Sequence, residues 1–244
     1  MATENSYFVS DLHMFSRRSQ SHLHEDEILA LAADAHTFVL GGDIFDFRWS
    51  TLPSVAATVD ASIEWLERLV GENGHCKFHF VLGNHDSNQR FVERLGGLSQ
   101  AATNLEWHEY YVRLGQSMFL HGDVADRRMT QRKLIESRTR WQEDEQRSPI
   151  RHLLYDSVVH LRLHKIAATC IHRPRRVAKR ILVYLEDIGH GPASGLQDVY
   201  FGHTHAPMSE FEYAGLKFHN GGAPINGLDF RILETNLLEA AISY

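Results

Sequence analysis

Only two cysteines, Cys76 and Cys170, occur in the 244 residues of the chain. They lie far apart and show no metal-binding spacing, which excludes a disulfide framework and a zinc ribbon and favours a reducing compartment. No apolar run reaches the length that spans a membrane. The first residues lack the basic and apolar regions of a secretory signal. We therefore expect a globular protein of the cytoplasm.

Histidine, by contrast, is abundant, with 17 residues in the chain. Neutral imidazole is the commonest metal ligand in proteins, but abundance alone identifies no site. Five of the histidines stand in short blocks of residues that can bind metals, and each block follows an apolar, β-branched or aromatic run. In chain order the blocks are Asp11-Leu12-His13, Gly42-Asp43-Ile44-Phe45-Asp46, Gly83-Asn84-His85-Asp86, His121-Gly122-Asp123 and Gly202-His203-Thr204-His205.

The apolar runs alternate with segments of helical periodicity, which predicts an α/β fold. Strands are expected at residues 6–10, 37–40, 78–82, 105–114, 118–120, 199–201, 211–218 and 230–233. Helices are expected at residues 25–35, 53–70 and 88–95, the last of them stopped by Gly96 and Gly97. Because sites in α/β sheets form outside the carboxyl ends of the strands, the five blocks should meet at one edge.

The segment 124–197 differs from the rest of the chain in charge and periodicity. It carries 15 Lys and Arg against 8 Asp and Glu, whereas the remainder carries 10 against 23. Its apolar residues recur at three- and four-residue steps, which is typical of amphipathic helices. We predict a catalytic domain formed by residues 1–123 and 198–244, with residues 124–197 inserted as a basic helical cap.

The five blocks combine carboxylate, amide and imidazole ligands, which suit divalent first-row metals. Two such ions held about 3.5–4 Å apart need an anionic ligand between them. Asp43 is the candidate, since the glycines before it allow close backbone approach. Two metals together polarise a phosphoryl oxygen and generate hydroxide from water near neutral pH. We therefore expect a metal-dependent hydrolase that cleaves a phosphorus ester.

The order and positions of the blocks resemble the signature of the calcineurin-like metallophosphoesterases, over roughly residues 6–123 and 198–222. The resemblance implies a β-sandwich of two mixed sheets flanked by helices. It also implies two metal ions, with Mn²⁺ favoured over Fe and Zn²⁺, and a bridging hydroxide that attacks phosphorus. One ion would take Asp11, His13, Asp43 and His205, and the other would take Asp43, Asn84, His121 and His203.

The same resemblance assigns roles to residues beside the metals. His85 would protonate the leaving group or stabilise the transition state, and Asp46 would orient His85 through a hydrogen bond. Asp86 and Asp123 would support the ligands from behind.

The inserted segment is expected to select the substrate. Its arrangement is similar to that of the UDP-2,3-diacylglucosamine hydrolases, whose helical cap stands between the same two blocks. That branch carries arginine where this chain has His85. A phosphorylated small molecule or a lipid-linked nucleotide is the expected substrate, with peripheral contact at the inner membrane surface. Arginine is well shaped to bind phosphate, and the candidates are Arg127, Arg128, Arg132 and Arg151.

Two other functions fit parts of the pattern. A nuclease or phosphodiesterase acting on nucleic acid or nucleotides would use the same metals and the basic cap. It would need a continuous cationic track with stacking aromatics, which the acidic chain offers poorly. A non-catalytic scaffold should have lost ligands or His85, and the sequence retains them all.

Overall fold

A computed structural model describes residues 5–143, 146–147, 173–235 and 237 of the chain. Within these residues the strands are β1 (Ser6–Val9), β2 (Thr37–Leu40), β3 (Lys77–Val81), β4 (Leu105–His108), β5 (Tyr111–Leu114), β6 (Ser117–Leu120), β7 (Asp198–Phe201), β8 (Met208–Tyr213), β9 (Leu216–Asn220) and β10 (Leu233–Glu234). The α-helices of the same residues are α1 (Glu25–Asp34), α2 (Val55–Glu72), α3 (Gln89–Ala101), α4 (Gln131–Arg138) and α5 (Pro174–Asp187).

The strands form two five-stranded mixed sheets. The first has the order β10-β1-β2-β3-β4, with β1 to β4 parallel and β10 antiparallel. The second has the order β5-β6-β7-β9-β8, in which β6, β7 and β9 are parallel. The predicted α/β architecture of two mixed sheets flanked by helices is therefore confirmed.

The two sheets face each other across a thin aromatic and aliphatic layer. Phe8 packs against Phe119 and Tyr200, with ring centroids 5.8 and 5.9 Å apart. Val39 and Val81 belong to the same buried cluster. Because apolar residues also cover the outer face of each sheet, strands β2, β6 and β7 are buried along their whole length and read as nearly continuous hydrophobic runs.

Helices cover both outer faces. The helices α1, α2 and α3 pack on the first sheet, where Phe45, Phe80 and Phe91 lie at the centre of the largest cluster. Helix α5 packs on the second sheet through a stripe that includes the buried residues Val177 and Ile181. This placement leaves the carboxyl ends of the parallel strands open at one edge of the sandwich.

Two predicted strands are each divided in the structure. Residues 105–114 form β4 and β5, which belong to different sheets, so the chain crosses the sandwich at Glu109 and Tyr110. Residues 211–218 form parts of β8 and β9, which turn back at Ala214 and Gly215, both with positive φ. Continuous apolar patterning concealed both turns, because each flanking strand buries side chains in the same way.

The prediction that α3 stops at Gly96 and Gly97 is wrong, since this helix continues to Ala101. The extra turn packs Leu98 against the first core cluster, and the Ser99 hydroxyl donates to the Leu105 carbonyl at 2.9 Å. These contacts outweigh the cost of glycine in a helix, about 1 kcal/mol per residue.

We expect Gly97→Ala to stabilise the protein by about 0.5–1 kcal/mol, because alanine lowers the entropy of the unfolded chain. No described atom lies within 4 Å of the position that a Cβ would take at Gly97. Urea unfolding followed by circular dichroism measures the effect. Gly83→Ala is the matched opposite, because its Cβ would collide with the backbone nitrogen of Asp43. A loss of stability in Gly97→Ala would contradict a continuous α3.

The ends of the predicted cap are described, whereas residues 144–145 and 148–172 lie outside the described part. Both described ends pack on the second sheet and on each other. The Tyr184 hydroxyl donates to the Gln131 side chain at 2.7 Å, and Arg180 donates to the Ala125 carbonyl at 2.6 Å. Helix α5 therefore contributes to the core of the sandwich. Across the described residues, the helices are too short or too polar to cross a membrane.

Candidate metal centre

The five blocks meet at one edge, where backbone hydrogen bonds join them beyond the ends of the strands. Asp11 and His13 donate their backbone N–H groups to the carbonyls of Gly42 and Asp43, both at 2.9 Å. The Gly202 N–H donates to the His121 carbonyl at 2.7 Å. These bonds extend the pairing of β1 with β2 and of β6 with β7, so strand register fixes which blocks are neighbours.

Side-chain carboxylates also join the blocks, from Asp11 to the other sheet and from Asp43 to the neighbouring strand of the same sheet. Asp11 accepts the backbone N–H of His203 at 2.8 and 2.9 Å on its two oxygens. Asp43 Oδ1 accepts the backbone N–H of His85 at 2.7 Å. Each carboxylate therefore holds a second block in place while its other contacts face the centre.

The backbone is unusual where the predicted ligands lie. Positive φ angles between 45° and 64° occur at Asp11, His13, Asp43, His203 and His205. Residues other than glycine rarely adopt this left-handed region, and such conformations cluster at functional sites. Five of the seven predicted ligand positions share this feature. The backbone conformation at these positions therefore serves to direct the ligand side chains.

Glycines permit the close packing of the blocks. A Cβ at Gly202 would collide with a carboxylate oxygen of Asp11, and one at Gly83 would collide with Asp43 Oδ1. These two glycines belong to the third and fifth blocks, and their lack of a side chain lets the acidic residues approach the neighbouring backbone.

The first group of candidate ligands consists of Asp11, His13 and His205. The Nε2 atoms of the two histidines are 3.1 Å apart, and His205 Nε2 is 3.4 Å from Asp11 Oδ1. Asp11 and His13 are buried, whereas His205 is partly exposed. The three ligand atoms lie within 4.8 Å of one another.

The second group consists of Asp43, His121 and His203, with Asn84 beside it. His121 Nε2 lies 3.2 Å from three atoms at once: Asp43 Oδ2, Asn84 Oδ1 and His203 Nδ1. The far nitrogen of His203 contacts Asp126 Oδ1 at 3.0 Å. A carboxylate in that position fixes the orientation of a histidine ligand.

Asp43 lies between the two groups. The same oxygen, Oδ2, is 3.2 Å from His121 Nε2 and 3.9 Å from His13 Nε2. The side chain is 2% exposed, and its other oxygen is held by the backbone of His85. One carboxylate oxygen thus faces a ligand of each group.

The electrostatics of the centre favour cations. Burial raises the pKa of Asp43, but the imidazoles of His121 and His85 outweigh it and hold this pKa well below its usual range. Burial lowers the pKa of His121, but Asp43 outweighs that effect and raises it to about 9. Burial lowers the pKa of His13 to about 4. Asp43 therefore favours a proton on His121, and a metal ion binding there would displace that proton.

The donor set also fits metals in its distances. Two ligands bound about 2.1 Å from one ion lie roughly 3.0–3.4 Å apart. The facing imidazole nitrogens, at 3.1 Å in the first group and 3.2 Å in the second, fall in this range. Facing lone pairs of this kind converge on a shared ion. The residues present therefore fit two divalent cations.

His85 stands beside the two groups and is held by Asp46. Its Nδ1 lies 2.9 Å from Asp46 Oδ1, and the fully buried Asp46 also accepts from Arg18 at 3.0 Å. Burial lowers the pKa of His85, but the carboxylates of Asp46 and Asp43 outweigh it and raise the pKa above its usual value. A histidine held in this way can keep a proton at its other nitrogen and deliver it.

The two acidic residues predicted as supports make buried contacts. Asp86 accepts the backbone N–H groups of Phe45 and Gly83 at 2.9 and 3.1 Å, so it ties the second block to the third. Asp123 forms a paired contact with Arg138 of α4, at 2.9 and 3.0 Å. No motif predicted Arg138, Arg18 or Asp126 in these roles, because each reaches the site from a segment outside the five blocks.

The predicted substrate-binding arginines are not brought into the metal centre where they are described. Arg127 and Arg128 line a shallow depression with Lys133 and Arg140. Arg132 is exposed, and its nearest acidic partner is Glu136 at 3.9 Å. Arg151 lies outside the described residues, so its role in substrate binding remains a prediction.

A separate trio of possible ligands, His79, Glu106 and His108, lies on β3 and β4. His79 Nδ1 is 3.1 Å from His108 Nε2, and Glu106 also pairs with Lys77 at 2.8 Å. These contacts satisfy the trio without a cation. The structure pairs His79 and His108 with each other.

The sequence was compared with known proteins. The sequence model of the family described as calcineurin-like phosphoesterase matches residues 6–207. No curated protein matches the chain.

Among solved structures, the nuclease MPE of Pseudomonas putida is 23% identical over 48% of this chain and 53% of its own, with a TM-score of 0.31. The chain therefore spans about half the length of that nuclease. A dimetal phosphatase from Danio rerio is 11% identical over 92% of this chain and 89% of its own, with a TM-score of 0.48. The match to the family model covers most of the chain and all five blocks, so the chain belongs to the calcineurin-like phosphoesterase family.

Proposed function

We propose that the chain hydrolyses a phosphoester or diphosphate bond with two divalent metal ions held at the described edge of the sandwich. Asp11, His13, Asp43 and His205 would hold one ion. Asp43, Asn84, His121 and His203 would hold the other. Family membership supports metal-dependent phosphoester hydrolysis.

The position of Asp43 Oδ2 carries this proposal. It faces His121 at 3.2 Å and His13 at 3.9 Å, as a ligand shared by two ions must. A shared anionic ligand offsets the repulsion between two cations that stand about 3.5–4 Å apart. Its burial keeps water from competing for that role.

When bound, two divalent metals supply Lewis acidity and lower the pKa of water. The chain itself supplies the proton for the leaving group. The Nδ1–H of His85 donates to Asp46 at 2.9 Å, and the raised pKa of His85 favours the imidazolium, which carries the transferable proton at Nε2. Arg18 and the backbone N–H of Trp49 both donate to Asp46 at 3.0 Å. These two hydrogen bonds hold the Asp46 carboxylate in the position from which it orients His85.

The reaction is tested with bis(4-nitrophenyl) phosphate and 4-nitrophenyl phosphate, after metal removal with EDTA and reconstitution with Mn²⁺, Fe²⁺ or Zn²⁺. We expect two ions per chain and turnover that returns only with metal, best with Mn²⁺. Monoester and diester rates separate the two bond types. Full metal occupancy without turnover of either ester, or of a diphosphate ester, would overturn the proposal.

For the substrate, we propose a molecule of the UDP-2,3-diacylglucosamine type. The inserted segment between the fourth and fifth blocks supports this choice, while His85 departs from the arginine of that branch. Incubation with UDP-2,3-diacylglucosamine and Mn²⁺ is expected to release UMP and the acylated sugar 1-phosphate. Single-stranded DNA serves as the competing substrate. Cleavage of DNA in place of the sugar nucleotide would move the assignment to a nuclease.

A further inference from the structure

A pocket lies next to Trp141, whose ring packs on His85. It has a volume of about 440 Å³ and is lined by Arg48, Arg140, Trp141, Glu143 and Arg147. The described lining residues include three arginines and one glutamate, in a chain whose formal net charge is −6. A cationic pocket in an acidic protein concentrates anions at that place.

Trp141 joins this pocket to His85. The two rings are 4.6 Å apart between centroids and tilted by 47°. The guanidinium of Arg48 lies over the same indole, 4.2 Å from its centroid. A cation over an aromatic face is held in place without using its hydrogen-bond donors. Arg48 and His85 therefore both pack on this indole.

Backbone contacts connect the walls of the pocket to the segment that follows Asp46. Arg48 donates to the Arg140 carbonyl, and the Arg147 N–H donates to the Arg48 carbonyl at 2.8 Å. Gln146 donates to the carbonyls of Ser50 and Leu52, both at 2.9 Å. The segment that positions His85 through Asp46 thus also holds the arginines.

We propose that this pocket is an anion subsite that binds a second phosphate carried by the leaving group of the substrate. This inference rests on the proposed function, because His85 marks the leaving-group side of the reacting phosphorus. Guanidinium groups suit phosphate oxygens in geometry as well as in charge. The enzyme then prefers diphosphates and esters of phosphorylated alcohols over esters of neutral alcohols.

The subsite accounts for a placement that the sequence did not predict. Of the arginines predicted to bind substrate, Arg127 and Arg128 line another depression, Arg132 is exposed, and Arg151 lies outside the described residues. Arg48 precedes the insertion, while Arg140 and Arg147 stand at its start, so the pocket forms only when the insertion packs against the segment after Asp46. The segment after Asp46 and the start of the insertion therefore both select the substrate and position the proton donor, His85.

The test compares phenyl phosphate with benzene-1,4-diyl bisphosphate as competitors of bis(4-nitrophenyl) phosphate turnover in the metal-loaded enzyme. We expect the bisphosphate to compete at least about tenfold better, the effect of one added charge-assisted contact. In Arg147→Gln this preference should fall to about the statistical factor of two. The matched control is Arg94→Gln, at an exposed arginine paired with Asp60 on the far helices; it should keep the full preference.

A wild-type preference of no more than the statistical factor of about two would overturn the subsite, as would an unchanged preference in both Arg147→Gln and Arg48→Gln. Absence of all ester turnover would instead contradict the proposed function. In that case, calorimetric titration of the bisphosphate into metal-free protein decides the subsite alone. Weaker binding in Arg147→Gln than in Arg94→Gln supports it, and equal binding rejects it.

Discussion

Asp43→Ala is expected to abolish turnover and to remove both metal ions. One oxygen of Asp43 faces His121 and His13, and the other accepts the backbone N–H of His85. Removal of the carboxylate leaves two cations without a shared anion and frees the backbone of the third block. Metal content per chain, measured by plasma mass spectrometry after dialysis, and ester hydrolysis together check this result.

Two further variants separate loss of charge from loss of fold. Asp43→Asn keeps an oxygen that can accept from His85, but it removes the charge, so we expect a folded protein with reduced metal content and little turnover. Asp60→Ala, at an exposed aspartate on α2, should retain both metals and full activity. Two bound ions in a folded Asp43→Ala protein would contradict the shared role of this carboxylate.

The convergence of the five blocks could be predicted because it follows from topology alone. Each block ends an apolar run, and parallel strands bring their carboxyl ends to one edge. The pairing of β1 with β2 and of β6 with β7 places Asp11 beside Asp43 and His121 beside His203. Local sequence was therefore sufficient to predict both the positions of these strands and the ligand residues that follow them.

Other features depend on contacts between distant segments, which a single sequence does not reveal. The crossing between β4 and β5 carries no glycine or proline, so its apolar pattern is that of one strand. The continuation of α3 through two glycines depends on packing of Leu98 against the core. Helix α5 was expected over the site, yet its apolar stripe packs on the second sheet, where Val177 and Ile181 are buried.

The partners of the site residues were hidden for the same reason. Arg18 lies in a polar loop, and its hydrogen bond to Asp46 spans 28 positions of the chain. Trp141 comes from the insertion and packs on His85, 56 positions before it. A motif records the residues that meet at strand ends, whereas these supporting contacts come from loops whose sequences carry no such pattern.

His85→Ala is expected to keep both metals and to slow turnover by about 10²–10⁴-fold, the usual contribution of a positioned proton donor. The imidazole lies beside the two ligand groups and contacts Asp46 at 2.9 Å, so its removal leaves every predicted metal ligand in place. Metal content and kcat are measured on the same preparation. His22→Ala, at an exposed histidine before α1, is the matched control and should behave as the wild type.

The dependence of this loss on the leaving group distinguishes proton donation from a structural role. A nitrophenolate leaves readily without a proton, whereas an alkoxide of high pKa needs one, so the alanine variant should lose far more activity on alkyl esters than on 4-nitrophenyl esters. Asp46→Asn should show the same bias in weaker form, because it removes the charge that holds the proton on His85. An equal loss on both kinds of ester would assign His85 to binding or folding, and wild-type turnover would remove it from the mechanism.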